Sequence, residues 1–140
     1  MSTEEFARGQ CLCGAVHYRV ASEPVRMAQC HCIDCQRASG GGHMNLAFFK
    51  EADVTIEGET QAFAVTGDIG ATNTRHFCPR CGGRLFGTNS AVPGILAITA
   101  GSFDNSDWYT PGVVIYTKRQ HAWDPRDESI PSFPEGPPAR

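Results

Sequence analysis

Seven cysteines in tight groups constrain this 140-residue chain more than any other feature. They stand at Cys11 and Cys13, at Cys30, Cys32 and Cys35, and at Cys78 and Cys81. An odd number cannot all pair within one chain. The opening Met1-Ser2-Thr3-Glu4-Glu5 has neither the basic start nor the apolar run of an export signal, so reduced thiols and a cytoplasmic protein are expected. Thiols buried as small hydrophobes would scatter along the chain. These cluster, and metal binding is the reading that uses them all.

Cys78-Pro79-Arg80-Cys81-Gly82-Gly83 reads as a zinc knuckle. Two thiolates two residues apart can share one ion, and the glycines permit the left-handed backbone that turns amides toward the sulfurs. A redox dithiol of the thioredoxin type wants a strand followed by a helix, and these glycines spoil a helix start. Cys11-Leu12-Cys13-Gly14 is weaker. On a strand its two side chains share a face, with Cα atoms about 6.6 Å apart, and a bend at Gly14 lets both reach one ion. It is a half-site, and Cys78 with Cys81 is the obvious other half. Four thiolates make a closed, structural zinc site.

Cys30-His31-Cys32-Ile33-Asp34-Cys35 supplies three thiolates in six residues. Three protein ligands leave a position open, as catalytic zinc sites do. His31 lies between two ligands and on a strand points the other way. A zinc ribbon built from Cys32, Cys35, Cys78 and Cys81 is the alternative. It leaves Cys11, Cys13 and Cys30 without a role, whereas a four-plus-three division uses every cysteine. Spacing alone leaves both open. Arg37, Arg80 and Arg84 flank the candidate ligands and could offset their negative charge.

The rest of the chain predicts a mainly β fold in a single domain over residues 1–140. Short runs rich in β-branched and aromatic residues cover 15–20, 45–49, 54–57, 61–65, 84–88, 95–100 and 113–117. Fifteen glycines and nine prolines punctuate them. Two stretches look helical, 34–39 before Gly40-Gly41-Gly42, and 102–108. The triple glycine reads as a flexible loop, since no phosphate-binding pattern surrounds it. Four prolines after residue 130 predict an extended tail at about 131–140. A net charge of −3 argues against nucleic acid as the partner, and no apolar run is long enough to span a membrane. His17, His43, His76 and His121 carry no motif of their own.

The ordered set Cys11-Leu12-Cys13-Gly14-Ala15-Val16, then Cys30-His31-Cys32-Ile33-Asp34-Cys35-Gln36-Arg37, then Phe77-Cys78-Pro79-Arg80-Cys81-Gly82 resembles the glutathione-dependent formaldehyde-activating enzyme family, also called the centromere-protein-V-like domain. Ile115 to Arg119, Trp123 and Ile130-Pro131-Ser132-Phe133 resemble that family's ending. The resemblance implies a β-tent arrangement of short antiparallel sheets organised around zinc. It implies two zinc ions per chain, a structural one at Cys11, Cys13, Cys78 and Cys81 and a second, open one at Cys30, Cys32 and Cys35. It implies a carbon–sulfur lyase-like activity that joins a glutathione-type thiol to a small aldehyde, as an S-hydroxymethylglutathione synthase does. In that chemistry the thiol ionises at the open zinc and attacks the aldehyde, and His31, His43 or a water protonates the new oxyanion. Arg37, two residues after a ligand, is the first candidate to bind the thiol's carboxylates, with Arg75 and Lys118 behind it. Two other readings are a non-catalytic, zinc-stabilised scaffold and a thiol-redox or metal-buffering role.

Overall fold

The structure is a computed structural model that describes residues 5–67 and 70–136. Among the described residues, ten strands form two sheets. A three-stranded antiparallel sheet has the order β1 (Ala7–Gln10), β2 (His17–Val20), β5 (Val54–Glu57). The seven-stranded sheet runs β10 (Val113–Ile115), β3 (Arg26–Cys30), β4 (Met44–Lys50), β9 (Ile95–Thr99), β8 (Arg84–Asn89), β7 (Thr72–Phe77), β6 (Gln61–Thr66). Only β10 with β3 is parallel within it. The fold is mainly β, and its short sheets meeting at cysteines are compatible with a β-tent.

Alternation decides which faces meet. On β2, Tyr18 and Val20 are buried while His17 and Arg19 face out, each within ion-pair distance of Glu57 across the ladder. Ala47 and Phe49 of β4, Leu85 of β8, and Leu96 and Ile98 of β9 pack against that apolar face to form the main core. Phe103 and Trp108 close it edge-on, with ring centroids 4.9 Å apart. Gly9 is needed where β1 passes this core: a Cβ there would overlap the Ser102 carbonyl oxygen and the Tyr18 hydroxyl.

The other face of the seven-stranded sheet carries a smaller cluster. Ala28 and Cys30 of β3 stand opposite Leu46 and Met44 of β4, and Ile115 of β10 lies beside Cys30. Helix α1 (Ile33–Ser39) packs here, so Cys30, Cys35 and Met44 form a second buried group with Cys32, Ala38, Leu46, Ile115 and Tyr116 around it. Gly40 ends α1 in the left-handed conformation at φ 76°, its N–H donating to the Gln36 carbonyl.

Three expectations need correction. Residues 102–108 do not form a helix: a 3-10 turn over Ala100–Ser102 gives way to Phe103, which bridges Gly9. Burying Phe103 and Trp108 in the core outweighs the helical pattern. The strand expected over 15–20 begins at His17, because the connection before it folds back with Cys11 N–H donating to the Val16 carbonyl. The strand expected over 113–117 stops at Ile115, where Tyr116 turns left-handed at φ 59°. Of the tail, residues 131–136 lie along β10, with Val114 N–H donating to the Pro131 carbonyl and Phe133 N–H to the Val114 carbonyl. Residues 137–140 lie outside the described residues. No helix among the described residues is long and apolar enough to cross a membrane.

Candidate metal centres

The sulfurs of Cys11, Cys13, Cys78 and Cys81 all lie within 4.8 Å of one another. Cys11–Cys13 and Cys13–Cys78 separations are both 3.8 Å. Four sulfurs held tetrahedrally at about 2.3 Å from one zinc stand about 3.8 Å apart, so the donor set fits that ion. Both half-sites are hairpin connections. Residues 11–16 join β1 to β2 in the small sheet, and residues 78–83 join β7 to β8 in the large one. A register shift opposite His76 and Phe77 leaves Leu85 as an extra residue on β8, a bulge just after the 78–83 connection. Amides then point at the sulfurs: Val16 N–H to Cys11, Arg80 N–H to Cys78 and Gly83 N–H to Cys81. Backbone N–H groups of Cys13 and Gly83 hold the Cys81 thiol down at about 6. An ion here would clasp the two sheets together.

Cys30, Cys32 and Cys35 form a second group, again within 4.8 Å. Cys30 ends β3, Cys32 caps α1 and Cys35 sits in its first turn, its N–H donating to the Cys32 sulfur at 3.3 Å. Hydrogen bonds from Cys30 and Cys35 hold the Cys32 thiol far down, while the hydrogen bonds Cys30 gives to Cys32 and Cys35, together with burial, push the Cys30 thiol up. Each group has a buried and a more accessible side: Cys30 and Cys35 are buried and Cys32 half-buried, while Cys11 and Cys78 lie in the main core with Cys81 half-buried and Cys13 exposed. Cys32 and Cys35 lie in a different group from Cys78 and Cys81, which removes the geometric basis of a zinc ribbon.

The cation at the second group is Arg75. Its Nη2 stands 4.0 Å from the Cys35 sulfur. Arg75 pairs with Gly87 of β8, Gly87 with Ala97 of β9, and Ala97 with Phe48 of β4, so all share the face that carries α1. Gly87 and Ala97 are small, and their lack of bulk leaves a path for the long side chain across the sheet. Arg37 is exposed in the last turn of α1, and Lys118 pairs with Glu135 at 3.7 Å. Tyr116 packs on the second group in a left-handed conformation unusual for an aromatic residue. Positive φ at a bulky residue marks a site where surrounding structure dictates the backbone.

His31 and His43 are brought to each other rather than into either sulfur group. Antiparallel β3 and β4 pair through Cys30 and Met44, and His31 and His43 continue that ladder one residue further, on the opposite side. Their rings lie 4.8 Å apart, and Asp124, from the loop after Trp123, accepts a hydrogen bond from His43 Nδ1. Gly42 is buried against the Asp124 carboxylate, which a Cβ there would overlap. The middle of the triple glycine is open, but its last member is a contact residue. Asp124 itself is invisible to sequence reading, since nothing about Trp123-Asp124-Pro125 ties it to residues 31 and 43.

Comparison with known proteins decides the family. Residues 6–119 match the family described as "Glutathione-dependent formaldehyde-activating enzyme". The chain belongs to that family. A Halomonas elongata protein named "Putative glutathione-dependent formaldehyde-activating enzyme" is 31% identical over 102 residues. That alignment covers 69% of this chain and 65% of the relative, so the chain spans less than two thirds of the relative's length. A crystal structure of a Rhodobacter sphaeroides protein shares the fold, with a TM-score of 0.56 and 21% identity over 70% of this chain and 88% of that one.

Proposed function

We propose that this chain holds two zinc ions and catalyses the reversible addition of a glutathione-type thiol to formaldehyde, giving S-hydroxymethylglutathione. Cys11, Cys13, Cys78 and Cys81 would hold the structural ion, and Cys30, Cys32 and Cys35 the second. The observation that carries the reading is the contrast in donor number: four sulfurs from two sheets complete a tetrahedral set, whereas three sulfurs beside an arginine leave one position for a substrate. Zinc at the three-sulfur group would supply the Lewis acidity that ionises a substrate thiol near neutral pH.

The chain's own residues do the rest. Cys30, Cys32 and Cys35 fix where the thiol docks. Arg75 offsets the negative charge that collects there and offers a guanidinium to a glutathione carboxylate. The exposed Arg37 is the second candidate for such a contact. In the reaction the thiol loses its proton, the sulfur lone pair forms a C–S bond to the carbonyl carbon, and the C=O π pair moves to oxygen. A water protonates that oxygen, since His43 is hydrogen-bonded to Asp124 and His31 is fully buried. Reduced thiols of this kind belong in the cytoplasm, and the acidic chain has no basic stripe to favour nucleic acid.

Isothermal titration of zinc-loaded protein with glutathione and S-methylglutathione tests this. Glutathione should bind with proton release, and S-methylglutathione, which has no thiol to ionise, should bind far more weakly. Equal binding of both, or binding unchanged in Cys32→Ser, overturns the proposal.

A further inference from the structure

We infer that His31, His43 and Asp124 form a third metal site, for a divalent first-row transition ion held by two imidazoles and one carboxylate. One donor atom from each of the three lies within 4.8 Å of the others. The donors come from three separate places, namely the end of β3, the residue before β4 and the 121–124 turn, so the fold rather than local sequence assembles them. The second observation is His31 itself. It is 0% exposed, and among the described residues neither Nδ1 nor Nε2 makes a hydrogen bond of full geometry, although the Gly42 backbone lies close enough to act on the ring. A neutral imidazole carries one N–H donor and one lone pair. Leaving both without a full hydrogen bond in the interior is costly, and an ion on one nitrogen removes part of that cost.

The distances suit an ion after a small adjustment. Asp124 Oδ2 is 2.5 Å from His43 Nδ1 and 3.7 Å from His31 Nδ1. Two ligands about 2.1 Å from one ion stand roughly 3.0–3.4 Å apart at right to tetrahedral angles. Turning the Asp124 carboxylate lengthens the first separation and shortens the second. Imidazole nitrogen and carboxylate oxygen are borderline donors that suit zinc, iron(II), cobalt(II) and manganese(II), and three protein ligands leave further positions open. Asp124 is the carboxylate at the site, and its charge would be answered by the ion. Arg126 is the cation nearby, with Nη1 donating to Gln120 Oε1. Gly42 permits the carboxylate to approach, which gives that glycine a purpose the loop reading did not.

The site is separate from both cysteine groups, so it stands or falls independently of the glutathione reading. The test uses full-length protein with both cysteine groups first filled with zinc. Cobalt(II) is then added, and binding is followed by absorption and native mass spectrometry. The expected result is one further ion per chain whose spectrum has ligand-field bands but no sulfur-to-cobalt charge-transfer band. His43→Gln and Asp124→Asn should each weaken that third binding by at least about tenfold while keeping both zinc ions. Retained zinc and an unchanged melt establish that the variants fold. The wild-type spectrum stands as evidence even if a variant does not fold. A wild type that stops at two ions, a third ion with a sulfur band, or binding unchanged in both variants overturns the proposal and leaves a hydrogen-bonded latch.

Discussion

Replacing Cys81 with serine should cost the fold about twice what replacing Cys32 costs, if the ions act as cross-links with the chain-entropy scaling of a disulfide. Both cysteines are half-buried, so the substitutions are matched in local burial. They differ in the loop that the ion closes. Cys13 and Cys78 are 65 residues apart, and a cross-link over that distance removes about 4 kcal/mol of unfolded-state entropy at 25 °C. The second group spans only Cys30 to Cys35, for which the same relation gives about 2 kcal/mol. For a domain of this size those losses correspond to midpoint drops of about 15 °C and about 7 °C. Thermal melts in zinc-replete buffer read them directly. With a strong chelator present, the wild type and both variants should converge. Equal drops for the two variants, or a gap that survives chelation, would refute the assignment of a structural clasp and a separate open site.

Other perturbations have defined outcomes. Gly9→Ala should destabilise by about 2–3 kcal/mol in urea titrations, because the new methyl meets backbone at Ser102 and has nowhere to move. Arg75→Ala should lower glutathione affinity about tenfold by calorimetry without loss of the structural zinc, Arg75→Lys should recover part of it, and Arg37→Ala should have the smaller effect. Acidification should release zinc in two steps, followed with a zinc indicator. Protons compete for thiolates, so affinity falls as pH falls, and the three-sulfur group should empty at the higher pH. Simultaneous release at a single pH would contradict that order.

The cysteine groups were legible because their chemistry is local: each pair or triplet sits within six residues, and an ion tolerates few alternatives. Helix α1 was legible for the same reason, with its cap at Cys32 and its stop at Gly40. What escaped were features made by distant pairing. β1 (Ala7-Arg8-Gly9-Gln10), β3 (Arg26-Met27-Ala28-Gln29-Cys30) and β7 (Thr72 to Phe77) are polar or lack β-branched runs, and they are strands because neighbours complete their ladders. Nothing around Arg75 in the sequence ties it to Cys35, because what positions it are Gly87 and Ala97 on adjacent strands. Asp124 needed the closing of the 121–124 turn over Gly42, which no periodicity encodes.

The central claim is that the three-sulfur group accelerates joining of a thiol to formaldehyde. That addition also proceeds unaided in water, so the decisive quantity is an exchange rate at equilibrium. Carbon-13 exchange spectroscopy on labelled formaldehyde with glutathione gives it, comparing buffer, zinc-loaded wild type and zinc-loaded Cys32→Ser. Exchange between free formaldehyde and S-hydroxymethylglutathione should be faster with the wild type than in buffer, and should fall back to the buffer rate with Cys32→Ser. A wild-type rate equal to that of buffer would contradict the account.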